Sequence, residues 1–134
     1  MIPSVKEILA AYAFLARRYA WGETLPDDDL IEALVDARIE AQRLALGHDD
    51  EVAALFFACA ARSASLGEDF VLAVTLVTVN HAATLGRRPS RDPRRLAHDL
   101  QGRAREIGGR AMSYDDFRAW MAERLPVTTG QTRG

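Results

Sequence analysis

Residues 51–86 read EVAALFFACAARSASLGEDFVLAVTLVTVNHAATLG, and the parsing of this stretch decides the fold. Val52, Leu55, Phe56, Phe57 and Cys59 make its first part apolar almost all round, the pattern of a buried helix. Asp49 or Asp50 can cap that helix, which is predicted to run to about Arg62, with residues 63–67 as a short break. The second part is ambiguous by residue type. Val71, Val74, Thr75, Val77, Thr78 and Val79 are β-branched and suit a strand. The run from Glu68 to Leu85 is too long for an ordinary strand, and its flanking alanines favour helix. It is therefore predicted to be a buried central helix, stopped by Gly86. Its uninterrupted apolar portion, residues 70–79, falls far short of the ~20 residues that a membrane span requires.

Upstream, Ser4 and Glu7 have the spacing of a capping box. Ile8, Leu9, Tyr12, Leu15, Ala16 and Tyr19 recur at helical intervals, so a first amphipathic helix ends near Trp21 and Gly22. Residues 22–26 read as a loop. Asp27, Asp28 and Asp29 open a second helix, where carboxylates favour the positive end of the helix dipole. Leu30, Ile31, Leu34, Val35, Arg38 and Ile39 continue it towards Leu46, and Gly47 closes it. Downstream, a polar connection over 87–93 leads to a helix from Pro93 to Ile107, with Leu96, Leu100 and Ala104 on one side. Gly108 and Gly109 end it. Ser113 and Asp116 start a last helix through Phe117, Trp120, Met121 and Leu125. The expected architecture is all-α: one helical domain of about six helices over 1–126, and a flexible tail over 127–134.

The 134 residues are 49% hydrophobic and 27% charged with a net charge of -2, which excludes a wholly disordered chain and suits one domain with its own core. The single cysteine, Cys59, has no partner for an internal disulfide, and its apolar neighbours predict an inert buried thiol. Arg17 and Arg18 break the first apolar stretch, so no signal peptide is expected and the chain reads as cytoplasmic. The arginines from Arg87 to Arg110 are diluted by Asp92, Asp99 and Glu106 and carry no interleaved aromatic residue. They read as a solvated face rather than a nucleic-acid surface, one that could also receive an acidic segment of a partner. There is no phosphate loop, dinucleotide fingerprint or nucleophile elbow, and the three histidines have no metal-site spacing, so neither cofactor nor metal is expected.

The layout resembles the Fic/Doc family, specifically the small death-on-curing toxins. The likeness is strongest over residues 54–86, where Arg62 precedes the break and Leu85 and Gly86 stand where those toxins end their central helix. The closing helix from Ser113 to Leu125 fits as well. The family's motif, His-x-Phe-x-Asp/Glu-Gly/Ala-Asn-Gly/Lys-Arg, lies at the mouth of that helix. Its histidine takes a proton from the attacking hydroxyl. Its acid holds magnesium, its turn cradles phosphate on free amides, and its arginine neutralises it. The matching window here is Ala64-Ser65-Leu66-Gly67-Glu68-Asp69-Phe70-Val71-Leu72. Ala64 replaces the base, Leu66 the phenylalanine, Asp69 the small residue, Phe70 the asparagine and Leu72 the arginine. Only Glu68 keeps its chemical type, and Asp69 sets a second carboxylate where a polyphosphate would approach.

The resemblance thus implies a catalytically degenerate toxin-like protein that acts by binding a protein partner or a second copy, without nucleotidyl or phosphoryl transfer. The alternative is an enzyme that reuses the vacated pocket for a phosphate-free reaction on a small apolar molecule. Its proton-handling candidates are Glu68, Asp69 and His81, with Arg62, Ser63, Ser65, Phe70 and Asn80 as binding candidates. Residual transfer of AMP or phosphate is a third reading. Each candidate also has a plainer one: Glu68 and Asp69 as dipole-favouring residues at a helix start, and His81 as a hydrogen-bonded edge residue. His48 and His98 are read as surface residues. No nucleic-acid or membrane partner is expected.

Overall fold

The structure is a computed structural model that describes residues 2–18, 28–48, 50–89 and 92–126; the side chains at 47, 48, 65, 68–70 and 93 lie outside the described residues. It is all-α. The helices are α1 (Val5–Arg18), α2 (Asp28–His48), α3 (Glu51–Ala60), α4 (Ser63–Leu66), α5 (Glu68–Thr84), α6 (Pro93–Gly108) and α7 (Tyr114–Arg124). No strand is present among the described residues. The expectations placed on Tyr19, on residues 21–27, on Asp49 and on the 127–134 tail lie outside the described residues.

Local chemistry sets the helix starts. Ser4 Oγ accepts from Glu7 N at 3.2 Å, and Ser4 N donates to Glu7 Oε1 at 3.4 Å, closing the expected capping box. Asp50 is the cap of α3, accepting from Ala53 N at 3.1 Å, and Ser113 caps α7 by accepting from Asp116 N at 3.2 Å. Each satisfies an amide that the first helical turn leaves without a partner. The expected break at 63–67 holds a single helical turn, α4, which Gly67 closes by donating its amide to Ser63 O at 2.8 Å.

Packing sets the rest. Every residue of α3 from Val52 to Ala60 except Phe57 is buried, and the helix packs against α2, α4, α5, α6 and α7. α5 is buried along Val71, Ala73, Val74, Thr75, Val77, Thr78 and Ala82, and packs between α1, α3, α4 and α6. Its β-branched run stays helical because burial on several sides outweighs intrinsic preference. The hydroxyl of Thr75 also turns back onto the Val71 carbonyl at 2.9 Å.

α7 is held to α3 by stacked rings. The Phe56 and Phe117 centroids are 5.4 Å apart, and Phe117 and Trp120 are 5.9 Å apart. Arg124 lies over the Trp120 ring at 5.0 Å and pairs with Asp99 on α6 at 2.7 Å. Arg103 lies over the same ring at 5.6 Å.

One arginine departs from its expected solvated place. Arg87 is only 8% exposed. Its Nη1 donates to Asp50 Oδ1 at 2.8 Å and its Nε donates to the Leu125 carbonyl at 2.8 Å. Gly86 turns the chain at φ 76°, and Arg87 N returns to Ala82 O at 2.9 Å, which aims the side chain inward.

Candidate functional site

The mouth of α5 is built from α4, Gly67 and the first turn of α5. Gly67 sits at φ 87° and ψ 157°, a conformation open essentially to glycine alone. Among the described residues nothing lies within 4 Å of where its Cβ would be, so the backbone turn and not crowding selects glycine. Gly67 offers no side chain to cap α5, whose first amides face the turn. Around this turn Leu66 is buried in the core, Ala64 is exposed, Val71 is buried and Leu72 is half-buried. An exposed methyl accepts no proton, and a half-buried isobutyl neutralises no anion.

Two binding candidates are engaged elsewhere. Arg62, in the turn after α3, reaches back onto that helix, donating to the Ala58 carbonyl at 3.1 Å, and stands 3.8 Å from Glu40 of α2. Ser63 faces the end of α6, where its Oγ would lie 2.6 Å from a Cβ on Gly108. The side chains of Ser65, Glu68, Asp69 and Phe70 lie outside the described residues, so only their backbone positions at the turn are described.

His81 and Asn80 occupy a different place. His81 lies thirteen positions after Glu68 along the helix, about 20 Å at 1.5 Å per residue. The carboxylates at the start of α5 and this imidazole therefore do not form one proton-handling group. His81 and Asn80 line a cleft of about 260 Å³ between α1 and α5, with Pro3, Glu7, Ala11, Val77 and Thr84. The His81 ring is largely buried, and Nε2 stands 3.8 Å from Glu51 Oε1, an ion-pair distance and not a hydrogen bond. Burial holds its pKa below the usual histidine value, with Glu51 working in the opposite direction. The cleft thus presents an imidazole that favours its neutral form, together with Glu7, and Asn80 is exposed at its edge.

A second cleft of about 380 Å³ opens at the foot of α6 and α7, lined by Phe57, Ala61, Ile107, Arg110, Ala111, Met112 and Ser113. Arg110 there takes φ 61°, a left-handed position ordinarily given to glycine. Cys59 is wholly buried, and desolvation pushes its thiol up to about 12, so it is no nucleophile. Among the described residues no group of three or more His, Cys, Asp or Glu is arranged to hold a metal ion, and no helix is long and apolar enough to cross a membrane.

The Asp50–Arg87 pair and the Arg103–Trp120–Arg124 stack were not singled out by sequence reasoning. The one signal available was an arginine immediately after a helix-stopping glycine, a common surface arrangement. Comparison with family models, with curated proteins and with solved structures finds no match to this chain.

Proposed function

We propose that this chain is a catalytically degenerate relative of the Fic/Doc toxins that acts in the cytoplasm by binding a protein rather than by transferring a nucleotide or phosphate. The observation that carries the reading is the mouth of α5. A glycine-only turn leads into a long, largely buried helix, while the flanking positions hold an exposed Ala64 and a half-buried Leu72. The backbone could still offer amides to an anion, but at these positions there is no group to accept the hydroxyl proton and none to clamp the phosphate. Loss of a general base alone lowers a rate by about 10²–10⁴-fold, and loss of the clamp removes transition-state binding as well.

The experiment is a calorimetric titration of the native chain with ATP and magnesium. No saturable heat is expected. Magnesium-dependent binding in the low micromolar range, or transfer of label from ATP to any protein, would overturn the reading.

A further inference from the structure

The outer face of α2 carries an exposed apolar stripe. Val35, Ile39 and Leu46 are 39%, 51% and 88% exposed, on the side of the helix away from buried Leu34, Ala37 and Ala41. With exposed Gln42 they follow one another at intervals of four, three and four residues. At 3.6 residues per turn these positions fall within a stripe about 60° wide, the seam of a two-helix coiled coil. Asp28 and Glu32 continue the stripe as exposed carboxylates and mark where its apolar part ends.

We infer that α2 pairs antiparallel with α2 of a second copy of this chain across Val35, Ile39, Gln42 and Leu46. Two features select that occupant. The first is the spacing, which reads the same in both directions. An antiparallel copy sets Val35 against the partner's Leu46 and Ile39 against the partner's Gln42, and the dyad repeats both contacts. The second is charge. Asp36 and Arg43 are exposed on the same flank of the seam, seven residues apart. In the antiparallel register each Asp36 faces the partner's Arg43, an attraction made twice. Parallel pairing would instead set Asp36 beside the partner's Ile31 and Arg43 towards the partner's Arg38, a cation already held on its own Pro3 and Ile2 carbonyls, so the attraction is lost. The Arg43 side chain is 72% exposed, and its Glu40 neighbour at 3.4 Å lies on its own helix, so the guanidinium is reachable.

The seam runs over twelve residues, about 16 Å of helix from Val35 to Leu46, which places the interface at the small end for protein pairs and the dimer in the micromolar range. The inference does not depend on the emptied cradle at α5, since α2 would pair in this way whatever the mouth of α5 does.

Sedimentation equilibrium of the full chain over the micromolar range tests it. A monomer–dimer equilibrium is expected, with Ile39→Asp raising its dissociation constant by at least about tenfold and, because Ile39 is exposed, leaving the helical circular dichroism unchanged. Asp36→Arg and Arg43→Asp should each weaken the dimer, and the double variant should restore it. A chain that stays monomeric throughout, a dimer indifferent to Ile39→Asp, or a charge exchange that fails to restore pairing would each overturn the inference. So would a monomer that uses this face for a different protein.

Discussion

Arg87 places its Nη1 2.8 Å from Asp50 Oδ1, the same carboxylate oxygen that caps α3 through Ala53 N. With the bond from Arg87 Nε to the Leu125 carbonyl, one guanidinium joins the start of α3, the turn after α5 and the end of α7. All three lie at the same end of the bundle, opposite the mouth of α5.

Arg87→Ala would leave the Asp50 carboxylate without its cation and the Leu125 carbonyl without its donor, both largely removed from water. The expected loss is about 3–5 kcal/mol of stability, measured by urea unfolding. Arg87→Lys should recover only part of it, because an ammonium does not present two donors in a fixed fork.

Much of the helical frame is legible in the sequence because its signals are local. Ser4 with Glu7, Asp50, and Ser113 with Asp116 mark helix starts from residues three apart, and these bonds form. Arg87 was not legible. Its partners stand 37 and 38 positions away, and only the folded chain brings them to it. The segment 63–67 read as a break because it carries Ser and Gly, yet one turn is closed there by bonds such as Gly67 N to Ser63 O. Of the candidate site, the α5 mouth was legible as a motif window. The distance of His81 from it was legible too, since a helix from Glu68 to Leu85 already sets the two thirteen positions apart; the cleft against α1 that His81 lines was not, because α1 is brought there only by the fold.

Gly67→Ala should cost about 1–3 kcal/mol even though no described residue crowds the position, since the penalty comes from φ 87° and ψ 157°. Thermal unfolding measures it. A neutral result would mean that the turn relaxes and that the mouth of α5 is not fixed by its backbone.

Gly108 at the end of α6 should respond differently from Arg110. Gly108→Ala meets Ser63 Oγ at 2.6 Å and should destabilise by about 1–3 kcal/mol, much of it relieved by adding Ser63→Ala. Arg110→Gly removes a left-handed arginine and should stabilise by about 1 kcal/mol. Denaturant midpoints of the four proteins test both signs.

Cys59 gives a pH signature. Its folded pKa is raised by burial from 9.0 to about 12, so between those values the folded chain keeps a proton that the unfolded chain has released. The unfolded state then binds fewer protons and stability falls as pH rises through that window. Cys59→Ala should flatten the slope. Tyr114, also raised to about 12, adds in the same direction above pH 10 and leaves a residual slope. At neutral pH a thiol reagent should label Cys59 only as fast as the chain opens.

The most direct measurement rebuilds what α5's mouth lacks. Ala64→His, Asp69→Gly, Phe70→Asn and Leu72→Arg together return a base, a small residue, a phosphate-turn asparagine and a clamp beside the existing Glu68. Titrated with ATP and magnesium, the folded fourfold variant is predicted to bind the nucleotide while the native chain does not. A variant with native helical content that stays blind to ATP, or a native chain that already binds it, would contradict the account.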